Sequence, residues 1–371
     1  MRQAWNAVTA GSLTLAFALA AGAQEVPRQQ PEFGEEIVVE RVLLDVLVTD
    51  RKGNVVLGLD EDDFVVSEDG ERITLDDVTF YSNRRFLEST ERAAQVGVDA
   101  DDVVFDRYFI LLFHDQRMLF PRLAAQQLDA GRWVKRWVQE GVLANDYFAV
   151  VRYDSTLDVI QDFTNDPEQL TRAVDLAVQG KNPRLLEPPE QGPSLLRQLP
   201  SEQAVDRMTR TIYEGLQVLA TAAGAIPARK NLILFSAGFG EVNDFGFYSR
   251  DERYYPGMVE ELNANNVAVY GIDVLPMPAG QPPFFQALSN SLSDLSSDTG
   301  GEYYFHFVSF LTPLQQVAQD TNGYYLLSYR NPHPEGRSGF QTVVVDTVNP
   351  QFQVRARQGY RYGPEREPWL E

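Results

Sequence analysis

A chain of 371 residues with 44% hydrophobic content carries enough apolar material for two or three packed domains. Its 53 acidic residues against 32 basic ones give a formal net charge of −21, a field that repels nucleic acid and anionic lipid surfaces. Without cysteine there is no disulfide, no thiol nucleophile and no cysteine-linked lipid, so packing alone must stabilise the fold.

The first residues read as a secretory signal. Arg2 is the basic flank, Gly11 to Ala20 are apolar or small, and Ala21-Gly22-Ala23 gives a cleavage pattern before Gln24. That segment is too short for a stable membrane span, and no later stretch qualifies. The expected mature chain is therefore exported, periplasmic or secreted, with no transmembrane segment. After a polar lead-in at residues 24–35, short strand patterns fill residues 36–85: Ile37-Val38-Val39, Val42-Leu43-Leu44, Val46-Leu47-Val48, Val55 to Leu59, Phe64-Val65-Val66 and Ile73 to Phe80. Turn clusters separate them at the spacing of a small β-sandwich. Asp60-Glu61-Asp62-Asp63 is no calcium loop, because Phe64 and Val65 stand where a third acid and a glycine are required; it reads as a solvated turn. Residues 86–103, charged and aperiodic, read as a linker.

Tyr108 to Phe113 is a continuous apolar run, the mark of a central strand covered on both faces. Ala124, Leu128, Gly131, Val134, Val138 and Val142 then recur at helical spacing. Strand patterns follow at 146–153 and 157–163, and Thr164-Asn165-Asp166-Pro167 starts a helix with Leu170, Val174 and Ala177 inward. A Pro-rich stretch at 181–201 reads as a surface loop. Val205, Met208, Ile212, Leu216, Leu219 and Ala223 mark one long helix over 205–223. Strands are expected at 232–235, 267–274 and 303–307, with helices at 258–266 and 288–295. Alternating strands and helices over 104–322 predict an α/β fold with a doubly wound, mostly parallel sheet. Strand patterns return at 323–362, before a tail at 363–371, and are expected to join the amino-terminal strands in one flanking sandwich.

Catalytic signals are sparse. Ser236 precedes Gly238, but Leu234 occupies the first glycine position of a nucleophile elbow. A hydrolase using Ser236 with His114 and Asp115 is the enzyme alternative. No glycine-rich loop follows a strand, and no histidine pair has zinc-ligand spacing.

The order of elements resembles a von Willebrand factor type A domain. The resemblance rests on the strand ending at Asp115, the segment Phe163-Thr164-Asn165-Asp166, the strand Asn231 to Ser236, and the turn Thr299-Gly300-Gly301-Glu302-Tyr303-Tyr304. The flanks, Val48-Thr49-Asp50-Arg51-Lys52-Gly53, Asp63-Phe64 with Glu68-Asp69-Gly70, and Val354-Arg355-Ala356-Arg357-Gln358-Gly359-Tyr360, are similar to exported bacterial VWFA-related proteins of acidobacterial type. The resemblance implies a divalent cation, Mg²⁺ or Ca²⁺, held at the strand ends by an Asp-x-Ser-x-Ser segment, a loop Thr and a later Asp. Here the first segment is Asp115-Gln116-Arg117-Met118-Leu119, so both serines are missing. Thr209 or Thr211 stands for the Thr, and Ser236 stands near the Asp. Asp244 is a nearby carboxylate able to substitute if its loop folds back. One carboxylate and two hydroxyls are a poor offer to a hard cation, and no cofactor site of useful affinity is expected.

The expected function is a non-enzymatic protein-binding or adhesion module with a degenerate metal site. Its rim comprises Asp115, Gln116, Arg117, Thr211, Ser236, Asp244, Phe245, Tyr254 and Phe284, with Phe247, Tyr248, Tyr255 and Phe285 as further rim aromatics. A metal-dependent adhesion site with a non-standard ligand set is the other alternative.

Overall fold

A computed structural model describes residues 41–82, 106–118, 120–141, 143–182, 188–226, 228–275, 283–333, 336–363 and 369. The signal, the lead-in, the Ile37-Val38-Val39 pattern and the linker lie outside these residues, as do Leu119, Val142 and residues 276–282.

The α/β part is built on six strands in the order Tyr303–Tyr304, Val267–Asp273, Lys230–Ser236, Arg107–His114, Asp146–Tyr153 and Leu157–Thr164. All neighbours are parallel except the last pair. The apolar run in Arg107–His114 divides its side chains between two cores. Ile110 and Leu112 pack with the helices Glu202–Met208, Ile212–Ala223, Tyr255–Ala264 and Asn290–Asp298. Phe109, Leu111 and Phe113 pack with Leu123–Gly141, Pro167–Gln179 and Leu311–Asp320. This two-faced burial is what an unalternating strand requires, and the expected fold class holds.

Three expected helices differ. In Leu123–Gly141 the buried stripe is Leu123, Gln127, Ala130, Gly131, Val134, Trp137 and Val138, while Leu128 is 50% exposed. The stripe is rotated because Gln127 turns inward to donate from Nε2 to the His114 carbonyl at 3.0 Å. The single helix expected over 205–223 is two, Glu202–Met208 and Ile212–Ala223. Thr211 breaks it, accepting from the Glu214 N–H at 3.2 Å in a capping box. The helix expected at 288–295 is present as Asn290–Asp298, starting two residues later, with a separate short helix, Pro283–Leu288, before it. The 181–201 stretch is not wholly superficial: buried Asp162 accepts from Ser194 Oγ at 2.6 Å and from the Leu195 N–H at 2.9 Å.

The sandwich forms as expected from both ends of the chain. One sheet runs Gln353–Ala356, Arg41–Thr49, Gly323–Arg330, Asp77–Ser82; the other runs Gly359–Tyr362, Gly339–Thr347, Phe64–Glu68, Glu71–Ile73. Val42, Leu44, Phe64, Val66, Tyr325 and Leu327 fill the space between them. The Asp60 to Asp63 stretch is a capped 3-10 turn with no buried residue, as expected of a solvated turn.

Glu40–Glu371 forms one compact unit, and arginines hold its two parts together. Arg355 pairs with Glu302 at 3.1 Å and Asp320 at 3.0 Å. Arg357 donates to the Asn263 carbonyl at 2.8 Å and Arg361 to Glu261 at 2.8 Å. At the amino-terminal edge of the sheet, buried Arg107 makes two 2.7 Å bonds to buried Asp146, and its Nη1 reaches Thr321 Oγ1 at 3.2 Å.

Val134 and Leu216 are both fully buried. Val134→Asp or Leu216→Asp should cost several kcal/mol and abolish cooperative unfolding of the native state. Leu128→Asp, on the exposed side of the same helix as Val134, should shift the melting temperature little. Circular dichroism melts of the three variants check the assignment of faces.

Candidate functional site

In sheets of this kind ligands bind in the crevice at the carboxyl ends of the strands. Asp115 follows the central strand and is held by its own backbone, its N–H donating to the Tyr153 carbonyl at 2.7 Å. Its carboxylate is engaged by cations. Arg117 Nε lies 2.7 Å from Oδ1 and Arg152 Nη1 lies 3.5 Å from Oδ2. Arg117 also donates to the Val178 carbonyl at 3.0 Å, which anchors the guanidinium inward. Arg152, from the adjacent strand, bridges further to Asp154 at 2.5 Å and Asp158 at 2.6 Å. Sequence reading missed Arg152. Its only signal was a basic residue inside an otherwise apolar strand.

Beside this ion cluster lies a neutral one. His114 Nδ1 is 2.8 Å from Ser236 Oγ, and both residues are buried. The Gly238 N–H donates to Ser236 Oγ at 3.1 Å. Gln116 closes the ring, accepting from the Ala237 N–H at 3.0 Å and donating to the Gly238 carbonyl at 2.8 Å. Gly238 has φ 89°, and a Cβ there would fall 2.2 Å from the Leu288 carbonyl oxygen, so the turn tolerates only glycine. Burial pushes the His114 imidazole down from 6.5 to about 4, against the pull of Asp115, so it is neutral at pH 7.

The structure thus brings Asp115, Gln116, Arg117 and Ser236 into one neighbourhood. It spends the two threonines elsewhere. Thr209 is fully buried, donating to the Val205 carbonyl at 2.9 Å and accepting from the Leu157 N–H at 3.3 Å. Thr211 Oγ1 is occupied in its capping box with Glu214. Asp244 does not fold back: it is exposed in the turn of the hairpin Glu241–Val242/Tyr248–Ser249, whereas Ser236 is wholly buried.

Among the rim aromatics, Phe245 is 85% exposed, Phe247 68% and Phe284 42%. Phe284 lies against Phe120, with ring centres 6.3 Å apart. Tyr254 is half-buried, stacked on Tyr213 at 5.9 Å. Tyr255 is a correction: it is 3% exposed and donates to Asp298 at 2.7 Å, so it belongs to the core rather than the rim. The side chain of Phe285 lies outside the described residues. His306, expected on a strand with Phe305 and Phe307, follows a strand that stops at Tyr304, and it has φ 54°.

Asp273, at the end of the strand beside Ser236, was not foreseen. It accepts from the Leu275 N–H at 2.8 Å and from Tyr303 OH at 3.2 Å, and burial raises its carboxyl to about 6. Among the described residues no group of three or more His, Asp or Glu side chains is arranged to hold a metal ion. The Asp115 carboxylate faces the Arg117 and Arg152 guanidinium groups, the second of which it shares with Asp154 and Asp158.

No family model matches the chain, and no curated protein matches it. Solved structures do resemble it. Proximal thread matrix protein 1 from the mussel byssus is 16% identical over 57% of this chain and 47% of that one, with a TM-score of 0.35. This chain therefore spans about half the length of that protein. The von Willebrand factor domain of the type V pili tip protein Mfa5 from Porphyromonas gingivalis is 12% identical over 59% of this chain and 94% of that one, at a TM-score of 0.33. BatB from Bacteroides thetaiotaomicron is 16% identical over 57% and 96%, at 0.33. Likenesses at these scores do not bear on the chemistry of the site.

The His114 environment predicts a pH dependence. The folded imidazole resists protonation, so the unfolded chain binds the extra proton between pH 6.5 and about 4. Stability from this group is complete above pH 6.5 and lost as pH falls to about 4, by roughly 3 kcal/mol. Asp273, raised to about 6, acts with the opposite sign over part of that window. The comparison of interest is therefore His114→Gln with wild type. Relative to wild type, the variant should gain up to roughly 3 kcal/mol between pH 7 and pH 4 in urea unfolding. A constant difference between the two would refute a buried neutral imidazole.

Proposed function

We propose that the chain is an exported, non-enzymatic protein-binding module of the von Willebrand factor type A kind, whose metal-ion site is degenerate. One observation carries this reading: the carboxylate at the head of the central strand, Asp115, is bound by Arg117 and Arg152. A cation ligand whose charge is already matched within the protein has little left to offer Mg²⁺ or Ca²⁺, and binding then falls to the rim itself. Phe245 and Phe247, two residues apart on one hairpin turn and largely exposed, suit the anchor role that aromatic side chains play in interfaces. The signal at residues 1–23 and the acidic balance fit an exported protein, periplasmic or secreted.

The hydrolase alternative has one favourable contact, His114 to Ser236. Against it, Ser236 is wholly buried and Asp115 is committed to arginine rather than to the histidine. A triad needs an accessible nucleophile and a carboxylate that orients the base.

Two measurements test the proposal together. A fluorophosphonate probe should leave Ser236 unlabelled. Proteins of the producing organism's envelope captured by the wild-type chain should be retained equally in EDTA and in millimolar Mg²⁺. The double variant Phe245→Ser/Phe247→Ser should bind them at least about tenfold more weakly, a loss of roughly 1.4 kcal/mol. Labelling at Ser236 would favour the hydrolase, and loss of capture in EDTA would restore a metal-dependent mechanism.

A further inference from the structure

A cleft of about 650 Å³ separates Asn290–Asp298 and residues 300–303 of the α/β part from two strands of the sandwich, Gly339–Thr347 and Gln353–Ala356. Its size falls within the range of ligand sites, but its walls are unusual for a small-molecule pocket. No aromatic face other than Tyr303 lines it, and much of the wall is strand.

The two strands follow one another in sequence through residues 348–352, yet they belong to different sheets. Gln353–Ala356 is the terminal strand of its sheet, paired on one side with Arg41–Thr49. Gly339–Thr347 pairs with Phe64–Glu68 through residues 343–347, and with Gly359–Tyr362 only through residues 339–342. The Val343 N–H still donates to the Gln358 carbonyl at 2.9 Å. Beyond it, among the described residues, no strand covers the second side of 344–347. A strand edge of this kind offers backbone donors and acceptors in a row, and the ligand that matches such a row is another extended chain.

Charge and size narrow the occupant. Three charged groups line the cleft, and all are engaged within the protein: Glu302 and Arg355 pair with each other, Arg355 also binds Asp320, and Arg357 donates to the Asn263 and Leu43 carbonyls. Much of the remaining wall is small and neutral: Ser293 and Ser297, four residues apart on the helix, face Val343 to Val345 and Val354 across the cleft. Val344 is 60% exposed. Nothing in the wall selects for a charged or bulky side chain.

We propose that this cleft is a binding site for an extended, neutral peptide segment of another protein, added as a strand along the edges at 344–347 and 353–356. About four residues would lie in register with Gln353–Ala356, a length of roughly 14 Å. Small or β-branched side chains would point at the serine-lined helix and the valines. The site is separate from the aromatic rim and does not depend on it.

The probe is a displayed library of random heptapeptides, panned against the full chain. Enriched clones should be uncharged and alternate small or β-branched residues. They should bind Ser297→Trp at least about tenfold more weakly than wild type. Ser297 is exposed, so the variant should fold, and a thermal melt checks this; Ser293→Tyr, also at an exposed position, repeats the test from the neighbouring turn. Synthetic copies methylated on alternate backbone nitrogens should lose binding to a similar degree, while Phe245→Ser/Phe247→Ser should retain it. Failure to enrich any clone, equal binding to both filled-cleft variants, or binding that survives backbone methylation would overturn strand addition here. Loss of binding in the Phe245→Ser/Phe247→Ser chain would show that the peptides occupy the rim instead.

Discussion

The carboxylate of Asp115 sits between two guanidinium groups, and the character of the whole carboxyl-terminal rim follows from that arrangement. A carboxylate this deeply placed needs a counter-charge, and uncompensated burial of a partner costs about 3–5 kcal/mol. Arg117 supplies the counter-charge from two residues away and is itself fixed by the Val178 carbonyl. Arg152 supplies a second and ties the cluster to Asp154 and Asp158. The adjoining His114, Ser236 and Gln116 are neutral and hydrogen-bonded among themselves. On the proposed reading, a site in that condition is a scaffold for the loops around it, and recognition would fall to what those loops expose.

A second set of arginines determines how the α/β part is presented. Arg355, Arg357 and Arg361 leave the sandwich and end on carboxylates or carbonyls of the α/β part. Arg229 crosses the other way, donating to the Gly300 carbonyl at 2.7 Å and reaching the Asp45 carbonyl of the first sandwich strand at 3.5 Å. Planar, multi-donor guanidinium groups fix both direction and distance, which a flat apolar contact would not. The cleft at the junction of the sandwich with Asn290–Asp298 has walls from both parts.

Much of this is legible in the sequence. The unbroken run from Tyr108 to Phe113 required a strand buried on two faces, and the two cores divide its side chains as that requires. Asp166-Pro167 announced a helix start, and Asp166 caps it by accepting from the Glu168 N–H at 2.8 Å. Thr299-Gly300-Gly301 carries a plain physical reason for its residue types: Thr299 docks on the Val269 N–H at 3.0 Å, and a Cβ on Gly301 would fall 1.9 Å from the Val269 carbonyl oxygen. What failed was read from one-dimensional periodicity where a tertiary contact decides. Gln127 turns into the core because the His114 carbonyl is there to receive it, and no pattern of apolar residues reports that. Thr209 and Thr211 lie within the single helix expected over 205–223 and were named only through the family resemblance; one anchors a strand and the other caps a helix. Arg152 was invisible as a site residue because its partners, Asp115, Asp154 and Asp158, converge only when three strands are paired in register.

The claim that guanidinium has taken the place of a metal is tested most directly by counting bound metal. Mn²⁺ titrated into the full chain can be followed through the paramagnetic resonance of the free ion. The account predicts that free Mn²⁺ rises in proportion to the total added, identically for wild type and Asp115→Ala. A saturable loss of signal equal to one ion per chain, present in wild type and absent in Asp115→Ala, would contradict it.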